Sequence, residues 1–274
     1  MKRSIVPCLA RRSAVVAAAL ALVVVLALAV TARAAAGAGA RATPSQPHAV
    51  GDEGRTVRDG VTRGKDLAQP VSLRDAEGSI LAFPPRASTA KPLTVVYLHG
   101  IHGRAENGCP WLRDGATEIG WLVCPSANAH LANDTYSWAG SVFDQRAVVA
   151  RAERAAWAHG ADPAEANMIV GFSQGAFVAL DLVRARLGSY RGLVLIGADV
   201  TPAKAMLDGG GVRRIVLAAG SLDASYAPLQ RAAERLRREG MVIRFLDLGR
   251  IGHTYETTDK EALRDAIAWA GRSS

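Results

Sequence analysis

Aromatic residues are scarce in this 274-residue sequence, and their scarcity helps to exclude one class of function. They make up 5% of the chain, too few for a platform on which nucleic-acid bases could stack. The formal net charge is +8, but five of the basic residues lie before residue 35, where no acid occurs. The rest of the chain carries +3 with acids and bases interspersed, which leaves no basic stripe for a phosphate backbone. We therefore expect no nucleic-acid partner.

The acid-free N-terminus has the three parts of a secretory signal. Basic "MKRSIVPCLARR" is followed by the apolar run "SAVVAAALALVVVLALAV" and then by "ARA", with small residues at the spacing of a cleavage site. We predict a signal peptide over residues 1–34 and export to the periplasm, the cell envelope or the exterior. Because the apolar run approaches the length that spans a bilayer, an uncleaved membrane anchor is the alternative. Residues 35–64, rich in Ala, Gly, Pro and Arg, are predicted to form a flexible linker.

Cysteine is also scarce, with three residues and no C-x-x-C pair, which argues against a zinc or redox centre. Cys8 lies within the predicted signal. Cys109 and Cys124 remain, and in an exported protein we favour a bridge between them. Such a bridge would stabilise the fold by roughly 3 kcal/mol through loop closure. The alternative is two separate thiols, with Cys124 buried at the end of a strand.

From residue 65 to residue 274, short apolar runs alternate with segments of helical spacing. The predicted strands are "PLTVVYLHG", "GWLVCP", "NMIVGFS", "YRGLVLIGA", "VRRIVLAAG" and "MVIRFLDLG", and the predicted helices are "FDQRAVVARAERAAWAHG", "QGAFVALDLVRARLG", "YAPLQRAAERLRREG" and "DKEALRDAIAWAG". This alternation predicts one α/β domain, with a mostly parallel central sheet covered by helices on both faces. The stretch from Gly197 to Val212 is too short to hold a large cap domain.

The segment "MIVGFSQG" at residues 168–175 places Ser173 between Gly171 and Gly175, where a predicted strand turns abruptly into a helix. Such a turn strains the backbone of the serine, and small residues two positions before and after it avoid a clash. The strain lifts the hydroxyl above the sheet, as a nucleophile requires. The amide of Gln174, at the helix N-terminus, is predicted to bind an oxyanion.

A serine nucleophile needs a base, and the carboxyl ends of the later strands offer one. His253, the only histidine after Ser173, follows a predicted strand, so we predict that it is the base. Asp223 in "AAGSLDAS" is predicted to orient the imidazole, with a helix-capping or turn role as the alternative. Asp199 is the main rival for this third position. Asp247 lies within its predicted strand and fits less well.

The segment "HGIHGR" after the first strong strand is predicted to supply the second oxyanion donor and part of the substrate pocket. The donor is predicted to be the amide of Ile101, with that of His102 as the alternative. His99, Gly100 and His102 are predicted to line the pocket. His130 adds another histidine nearby, but no paired acid at ligand spacing accompanies them. We therefore expect neither a metal ion nor a cofactor.

Together these residues resemble the α/β-hydrolase fold, and within it the phospholipase/carboxylesterase type that includes acyl-protein thioesterases. The resemblance rests on "YLHG" at 97–100, "GFSQGA" at 171–176, "GSLD" at 220–223 and "GH" at 252–253, and it covers about Leu93 to Gly271. "YSWAGSVFD" is similar to the family's tryptophan-bearing pocket segment, which implies that Trp138 is a wall of the acyl site; ordinary core is the alternative. The two cysteines, the export signal and the lack of a doubled glycine after the serine motif depart from the cytosolic relatives.

The sequence thus predicts an exported serine hydrolase that cleaves small carboxylic esters or thioesters through an acyl-enzyme intermediate. Its expected partner is a small-molecule ester, and membrane contact is expected only through an uncleaved N-terminal segment. Without a cap the site should be shallow and open. Two alternatives remain, namely a non-catalytic α/β-hydrolase-like protein that binds a ligand or an envelope partner, and a peptidase of the same fold.

Overall fold

The structure is a computed structural model that describes residues 68–75, 78–86 and 91–272. The predicted signal peptide, the predicted linker and Cys8 lie outside these residues. Within the described ranges, no helix has both the length and the apolar character needed to cross a bilayer.

Ten strands occur in the described residues, and eight of them form the central sheet. In chain order the strands are β1 (Val71–Asp75), β2 (Gly78–Phe83), β3 (Leu93–Leu98), β4 (Gly120–Cys124), β5 (Ala129–Leu131), β6 (Thr135–Ser137), β7 (Asn167–Phe172), β8 (Tyr190–Ile196), β9 (Arg214–Ala219) and β10 (Val242–Asp247). Strands β5 and β6 form a separate antiparallel hairpin, joined by a 3₁₀ turn at Ala132–Asp134.

The strand order across the sheet is β1-β2-β4-β3-β7-β8-β9-β10. Strands β1 and β2 pair antiparallel, as do β2 and β4, and every other neighbouring pair is parallel. The inner parallel strands β3, β7, β8 and β9 are buried on both faces. In β3, for example, Val96 and Leu98 enter one core while Val95 and Tyr97 enter the other, as the alternation of side chains along a strand requires.

Within the described residues, six helices cover the two faces of the sheet. They are α1 (Ala105–Ala116), α2 (Val142–Ala158), α3 (Gln174–Arg184), α4 (Lys204–Gly209), α5 (Tyr226–Arg238) and α6 (Lys260–Gly271). Apolar residues of α2, α3, α4 and α5 pack into one core, and those of α1 and α6 pack into the core on the opposite face. The predicted α/β architecture, with a mostly parallel sheet between two helical layers, is confirmed. Between β8 and β9 the chain forms only the short helix α4.

Four features of the fold were not predicted from the sequence, namely the β1–β2 hairpin, helix α1, the β5–β6 hairpin and helix α4. The edge strand β1 buries only Leu73, so its apolar signal is weak. Helix α1 contains "NGCP", and the glycine and proline in this tetrapeptide mask its helical spacing; Pro110 nevertheless lies inside the helix.

The two cysteines of the domain lie in adjacent elements on one face. Cys109 is in α1 and Cys124 ends β4, both are buried, and their Cα atoms are 6.1 Å apart. That separation is within the range of a disulfide. The bridge predicted from the sequence is therefore compatible with the fold and requires no movement of the backbone.

Candidate active site

Ser173 occupies the sharp turn between β7 and α3. Its backbone adopts φ 52° and ψ −119°, a conformation that non-glycine residues rarely take. A Cβ at Gly171 would lie 2.4 Å from the carbonyl oxygen of Gly175, and a Cβ at Gly175 would lie 2.1 Å from that of Leu98. Both positions therefore exclude larger residues because backbone approaches them closely. The turn holds the serine hydroxyl at the carboxyl edge of the sheet, as the sequence predicted.

The three residues predicted to act together meet at this edge. The Nε2 atom of His253 is 2.9 Å from Oγ of Ser173, and its Nδ1 is 2.7 Å from Oδ2 of Asp223. With Asp223 ionised, Nδ1–H donates to the carboxylate and Nε2 is left to accept the hydroxyl proton of Ser173. The arrangement therefore places a base against the hydroxyl and a carboxylate behind the base.

Asp223 is held in its ionised form by its own loop. Burial alone would raise the pKa of its carboxyl, but hydrogen bonds from Ser225 and His253 outweigh burial and leave that pKa below its ordinary value. The backbone amide and the hydroxyl of Ser225 both donate to Oδ1, at 2.8 and 2.9 Å. One carboxylate oxygen is thus anchored to the loop, and the other is available to the imidazole.

The rival carboxylates do not reach His253. Asp199 follows β8 as an exposed residue, and no hydrogen bond joins it to the imidazole. Asp247 ends β10, where it accepts hydrogen bonds from the hydroxyl of Tyr226 at 2.9 Å and from the amide of Gly249 at 2.8 Å. Asp223 is therefore the carboxylate partner of His253 in this structure.

The loop after β3 lies directly against the serine. A Cβ at Gly100 would be 3.1 Å from Cβ of Ser173, so the backbone of this loop borders the hydroxyl. The amide of His102 donates to Oγ of Ser137 at 3.3 Å and is therefore engaged. Within the described residues, the amides of Ile101 and Gln174 donate to no protein acceptor. Of the two alternatives for the second donor, Ile101 is thus the one whose amide remains free to bind an oxyanion.

Two residues predicted to line the substrate pocket, His99 and Trp138, are buried. His99 is 2% exposed, its Nδ1 donates to the carbonyl of Gly100 at 2.8 Å, and its Nε2 accepts from the amide of Ala127 at 3.1 Å. Burial lowers the pKa of His99, so the ring is neutral. The indole of Trp138 is buried and donates to the carbonyl of His99 at 3.0 Å. These hydrogen bonds connect the loop after β3 to Ala127 and Trp138, and the lining and wall roles stay predictions. Gly100 and the exposed His102 do lie beside the site.

Sequence reasoning missed two contacts that shape the site. The carboxamide of Gln174 accepts from the amide of Trp138 at 3.0 Å and donates to its carbonyl at 2.9 Å, which fixes the segment before α2 to the serine turn. The ring of Phe172 lies 5.1 Å from that of His253 and 4.7 Å from that of Tyr255, between the serine turn and the histidine loop. Phe172 and Gln174 both flank Ser173 in the sequence. No local sequence pattern, however, identifies the distant residues that they contact.

No group of three or more His, Cys, Asp or Glu side chains in the described ranges is arranged to hold a metal ion. His130 contacts Asp134 at 3.2 Å and packs against the ring of Tyr136. The side chains and backbone groups that meet at the serine are a hydroxyl, an imidazole, a carboxylate and the amides of Gln174 and Ile101.

Solved structures share this architecture, whereas no protein-family model and no curated protein sequence matches the chain. The structure of TT1662 from Thermus thermophilus superposes with a TM-score of 0.55 and 20% identity, over 76% of this chain and 99% of that one. A carboxylesterase of Bacillus cereus gives 0.52 and 17%, over 70% and 93%. FphF, a fluorophosphonate-binding serine hydrolase of Staphylococcus aureus, gives 0.52 and 15%, over 75% and 98%. These likenesses show the fold, which is that of the α/β-hydrolases.

Proposed function

Starting from the α/β-hydrolase fold, we propose that this protein is a serine hydrolase that cleaves carboxylic esters or thioesters. One observation carries the proposal, namely the unbroken hydrogen-bonded line from Asp223 through His253 to Ser173, at 2.7 and 2.9 Å. Residues that are 30 and 80 positions apart in the chain form this line at the edge where α/β sheets place their sites. A packing role alone does not require a base hydrogen-bonded to a strained, partly exposed serine.

In the first half of the reaction, Oγ of Ser173 attacks the carbonyl carbon while its proton passes to Nε2 of His253. Asp223 holds the imidazole and stabilises the imidazolium that forms. The carbonyl oxygen takes up negative charge and binds to the amides of Gln174 and Ile101. When the tetrahedral intermediate collapses, the bond to the leaving oxygen or sulfur breaks, and His253 returns its proton to that atom. The acyl group is then esterified to Ser173.

In the second half, water replaces the leaving group. His253 takes a proton from water as its oxygen attacks the acyl carbon, and the same two amides bind the second oxyanion. Collapse of this intermediate breaks the bond to Oγ, and His253 returns the proton to Ser173. The products are a carboxylic acid and an alcohol or thiol, and the enzyme is regenerated without a cofactor.

The substrate is a small, soluble ester or thioester. Because only the six-residue helix α4 lies between β8 and β9, no inserted domain at that position covers the serine. His253 is exposed and Ser173 partly exposed, so the reacting groups are accessible from solvent. An open site suits short acyl or aryl groups better than long chains, which need an enclosed channel to bury their surface.

The enzyme acts outside the cytoplasm. Support comes from the basic segment, the apolar run and the "ARA" site at the N-terminus, which together have the organisation of an export signal. The close approach of Cys109 and Cys124 is consistent with an oxidising compartment.

A fluorophosphonate probe tests the proposal, because such probes label activated serines. We expect the wild type to be labelled and to hydrolyse p-nitrophenyl acetate. Ser173→Ala should abolish labelling and lower turnover by about a million-fold. A folded wild-type protein that is neither labelled nor active would instead favour the ligand-binding alternative.

A further inference from the structure

The loop that carries His253 connects β10 to α6 and contains neither a helix nor a strand. Within this histidine loop, the amide of Thr254 donates to the carbonyl of Gly252 at 2.9 Å, and the amide of Thr257 donates to the carbonyl of Tyr255 at 2.8 Å. Bonds between such close neighbours shape the loop, but they do not attach it to the sheet. The position of the imidazole therefore depends on contacts that side chains of the loop make with the rest of the molecule.

The two hydrogen bonds of His253 leave the tilt of its ring to be fixed by packing. The side chain is 52% exposed, and its nitrogens bond to Asp223 and Ser173. The N–H and the lone pair both lie in the plane of the ring, so a tilt would turn both away from their partners, and hydrogen bonds weaken as they bend. The ring of Phe172 lies against the imidazole, with centroids 5.1 Å apart, and restrains this tilt.

The ring of Phe172 is itself held tightly. A Cβ at Gly100 would lie 3.2 Å from its Cδ1 atom, and a Cβ at Gly197 would lie 3.0 Å from its Cε2 atom, so backbone borders both edges of the ring. Tyr255 completes the enclosure. Its ring meets that of Phe172 edge to face, with centroids 4.7 Å apart and planes at 85°, the favoured geometry of an aromatic pair.

Tyr255 joins the histidine loop to the interior of the domain. It packs against the core shared by α1 and α6, with its ring 6.4 Å from that of Tyr97 and 6.5 Å from that of Trp111. Tyr97, in β3, is 1% exposed, and a Cβ at Gly108 would come within 2.1 Å of its hydroxyl oxygen, so α1 closes tightly over it. One end of this aromatic cluster is therefore fixed in the core, and the other end contacts His253.

We propose that Tyr255 is a positioning residue for His253. Its ring attaches the histidine loop to the core and holds Phe172 against the imidazole, which keeps Nε2 directed at the hydroxyl of Ser173. This role rests on the proposed hydrolase function and adds a residue to its machinery. Ordinary packing is the alternative. Both roles predict a loss of stability when the ring is removed, but only positioning predicts a loss of kcat in protein that is still folded.

Tyr255→Leu tests this role, because it keeps an apolar side chain and removes the ring. We expect kcat on p-nitrophenyl acetate to fall by about tenfold and KM to change by less than about twofold, since a small misplacement of the base slows the chemical step without removing a substrate contact. Tyr255→Phe keeps the ring and should retain kcat within about twofold. Trp111→Leu weakens the attachment of Tyr255 without removing it, and should lower kcat by about threefold.

Phe245→Leu is the matched control. The ring of Phe245, in β10, meets that of Tyr226 edge to face at 5.1 Å and 82°, nearly the geometry of the pair formed by Phe172 and Tyr255. Its loss should lower the free energy of unfolding and leave kcat within about twofold. Denaturant unfolding of every variant separates stability from activity.

A double-mutant cycle shows whether Tyr255 acts through Phe172. Phe172→Leu should also lower kcat by about tenfold, since it removes the support of the imidazole directly. If one residue acts through the other, the double variant should lose little more than either single variant, whereas independent effects would multiply to about a hundredfold.

Proton NMR gives a readout that does not require turnover. The proton on Nδ1 of His253 lies in a 2.7 Å hydrogen bond to Asp223 and should give a resonance at low field. Tyr255→Leu should broaden or shift this resonance, whereas Tyr255→Phe and Phe245→Leu should preserve it.

The outcomes separate the two proposals. The positioning role is overturned if kcat and the resonance are unchanged in Tyr255→Leu, if Tyr255→Phe loses as much activity, or if the losses at Tyr255 and Phe172 multiply. In each of these cases the hydrolase proposal stands. If the wild type is neither labelled by a fluorophosphonate nor active on p-nitrophenyl acetate, the hydrolase proposal itself fails, and the resonance alone then decides whether Tyr255 orients His253.

Discussion

At the scale of single residues, Asp223 controls what His253 can do. Its Oδ1 is occupied by two hydrogen bonds from Ser225, and only Oδ2 faces the imidazole. The carboxylate therefore cannot rotate away without losing both contacts. Because it accepts from Nδ1, it fixes the tautomer in which Nε2 is free to take a proton from Ser173.

Asp223→Asn should lower kcat by about ten thousand-fold, because an amide can hold the wrong tautomer in place. Asp199→Asn is the matched control and should change kcat less than about threefold, since Asp199 does not contact His253. Steady-state kinetics on p-nitrophenyl acetate measure both. A larger loss in the Asp199 variant would show that the carboxylate assignment is wrong.

The same variant has a pH-dependent effect on stability. The pKa of Asp223 is lower in the folded protein than in the unfolded chain, so its contribution is complete above its unfolded pKa and is lost as the pH falls through the folded pKa. The difference in unfolding free energy between wild type and Asp223→Asn should therefore shrink as the pH is lowered from about 5 to about 2. Denaturant unfolding at several pH values measures it. A difference that stays constant would contradict the lowered pKa.

Some residues of the site could be predicted from the sequence because the neighbouring residues in the chain mark them. Ser173 is marked by two glycines and by a strand that turns into a helix, and Asp223 and His253 each follow a strand. The contacts of Gln174 and His99 could not be predicted, since their partners are 36 and 28 positions away in the chain. Trp138 shows the same limit, because its spacing fits a pocket wall and a core residue equally well.

At the scale of elements, the β5–β6 hairpin supports the loop that carries the proposed oxyanion donor. The amide of His102 donates to Oγ of Ser137, and the amide of Tyr136 donates to the carbonyl of Gly103 at 3.0 Å. Arg104 forms an ion pair with Asp134 at 2.7 Å across the same junction. The hairpin thus fixes the turn at His102, whose φ is 52°. By fixing this turn it also fixes the direction of the amide of Ile101, the proposed oxyanion donor.

Ser137→Ala should lower kcat by about tenfold with little change in KM, less than the hundredfold or more that loss of an entire oxyanion donor costs. The hydroxyl binds the loop and not the substrate, so ground-state binding should be preserved. Thr135→Ala is the matched control, because its hydroxyl donates to the carbonyl of Ala132 within the hairpin and does not touch the loop. Unchanged kcat in Ser137→Ala, or an equal loss in both variants, would argue against this positioning role.

The clearest of the elements that the sequence predicted are buried on both faces or strongly amphipathic. Strands β3, β7, β8 and β9 are almost continuous apolar runs, and α5 alternates charged and apolar faces. The missed β5–β6 hairpin consists of two three-residue strands whose side chains are mostly partly exposed, so it has no usable periodicity. The hairpin is bonded to the loop after β3 through the amide of Tyr136 and the carbonyl of Gly103, a long-range contact that a local pattern does not contain.

At the scale of the whole molecule, the sheet order brings distant segments to one edge. Strands β3, β7, β8 and β9 are neighbours, and the loops that follow β3, β7 and β9 carry Ile101, Ser173 and Asp223. His253 reaches them from beyond the last strand. Because these strands are parallel, the loops at their carboxyl ends lie at the same edge of the sheet, so motifs that each follow a strand could be expected to meet there without knowledge of the strand order.

The proposed export and the paired cysteines make a joint prediction about the folded molecule. Cys109 and Cys124 connect α1 to β4 across a loop of 15 positions, and both are buried. If the protein matures in an oxidising compartment, its non-reduced mass should be lower than its reduced mass by two hydrogen atoms. Reduction should lower the free energy of unfolding by roughly 3 kcal/mol through loop entropy, measured by denaturant unfolding with and without a thiol reductant.

The Cys109→Ala/Cys124→Ala variant is the control, because its stability should not respond to reductant. Two free thiols in freshly exported, denatured protein would contradict the bridge and remove one of the two supports for an extracytoplasmic site of action.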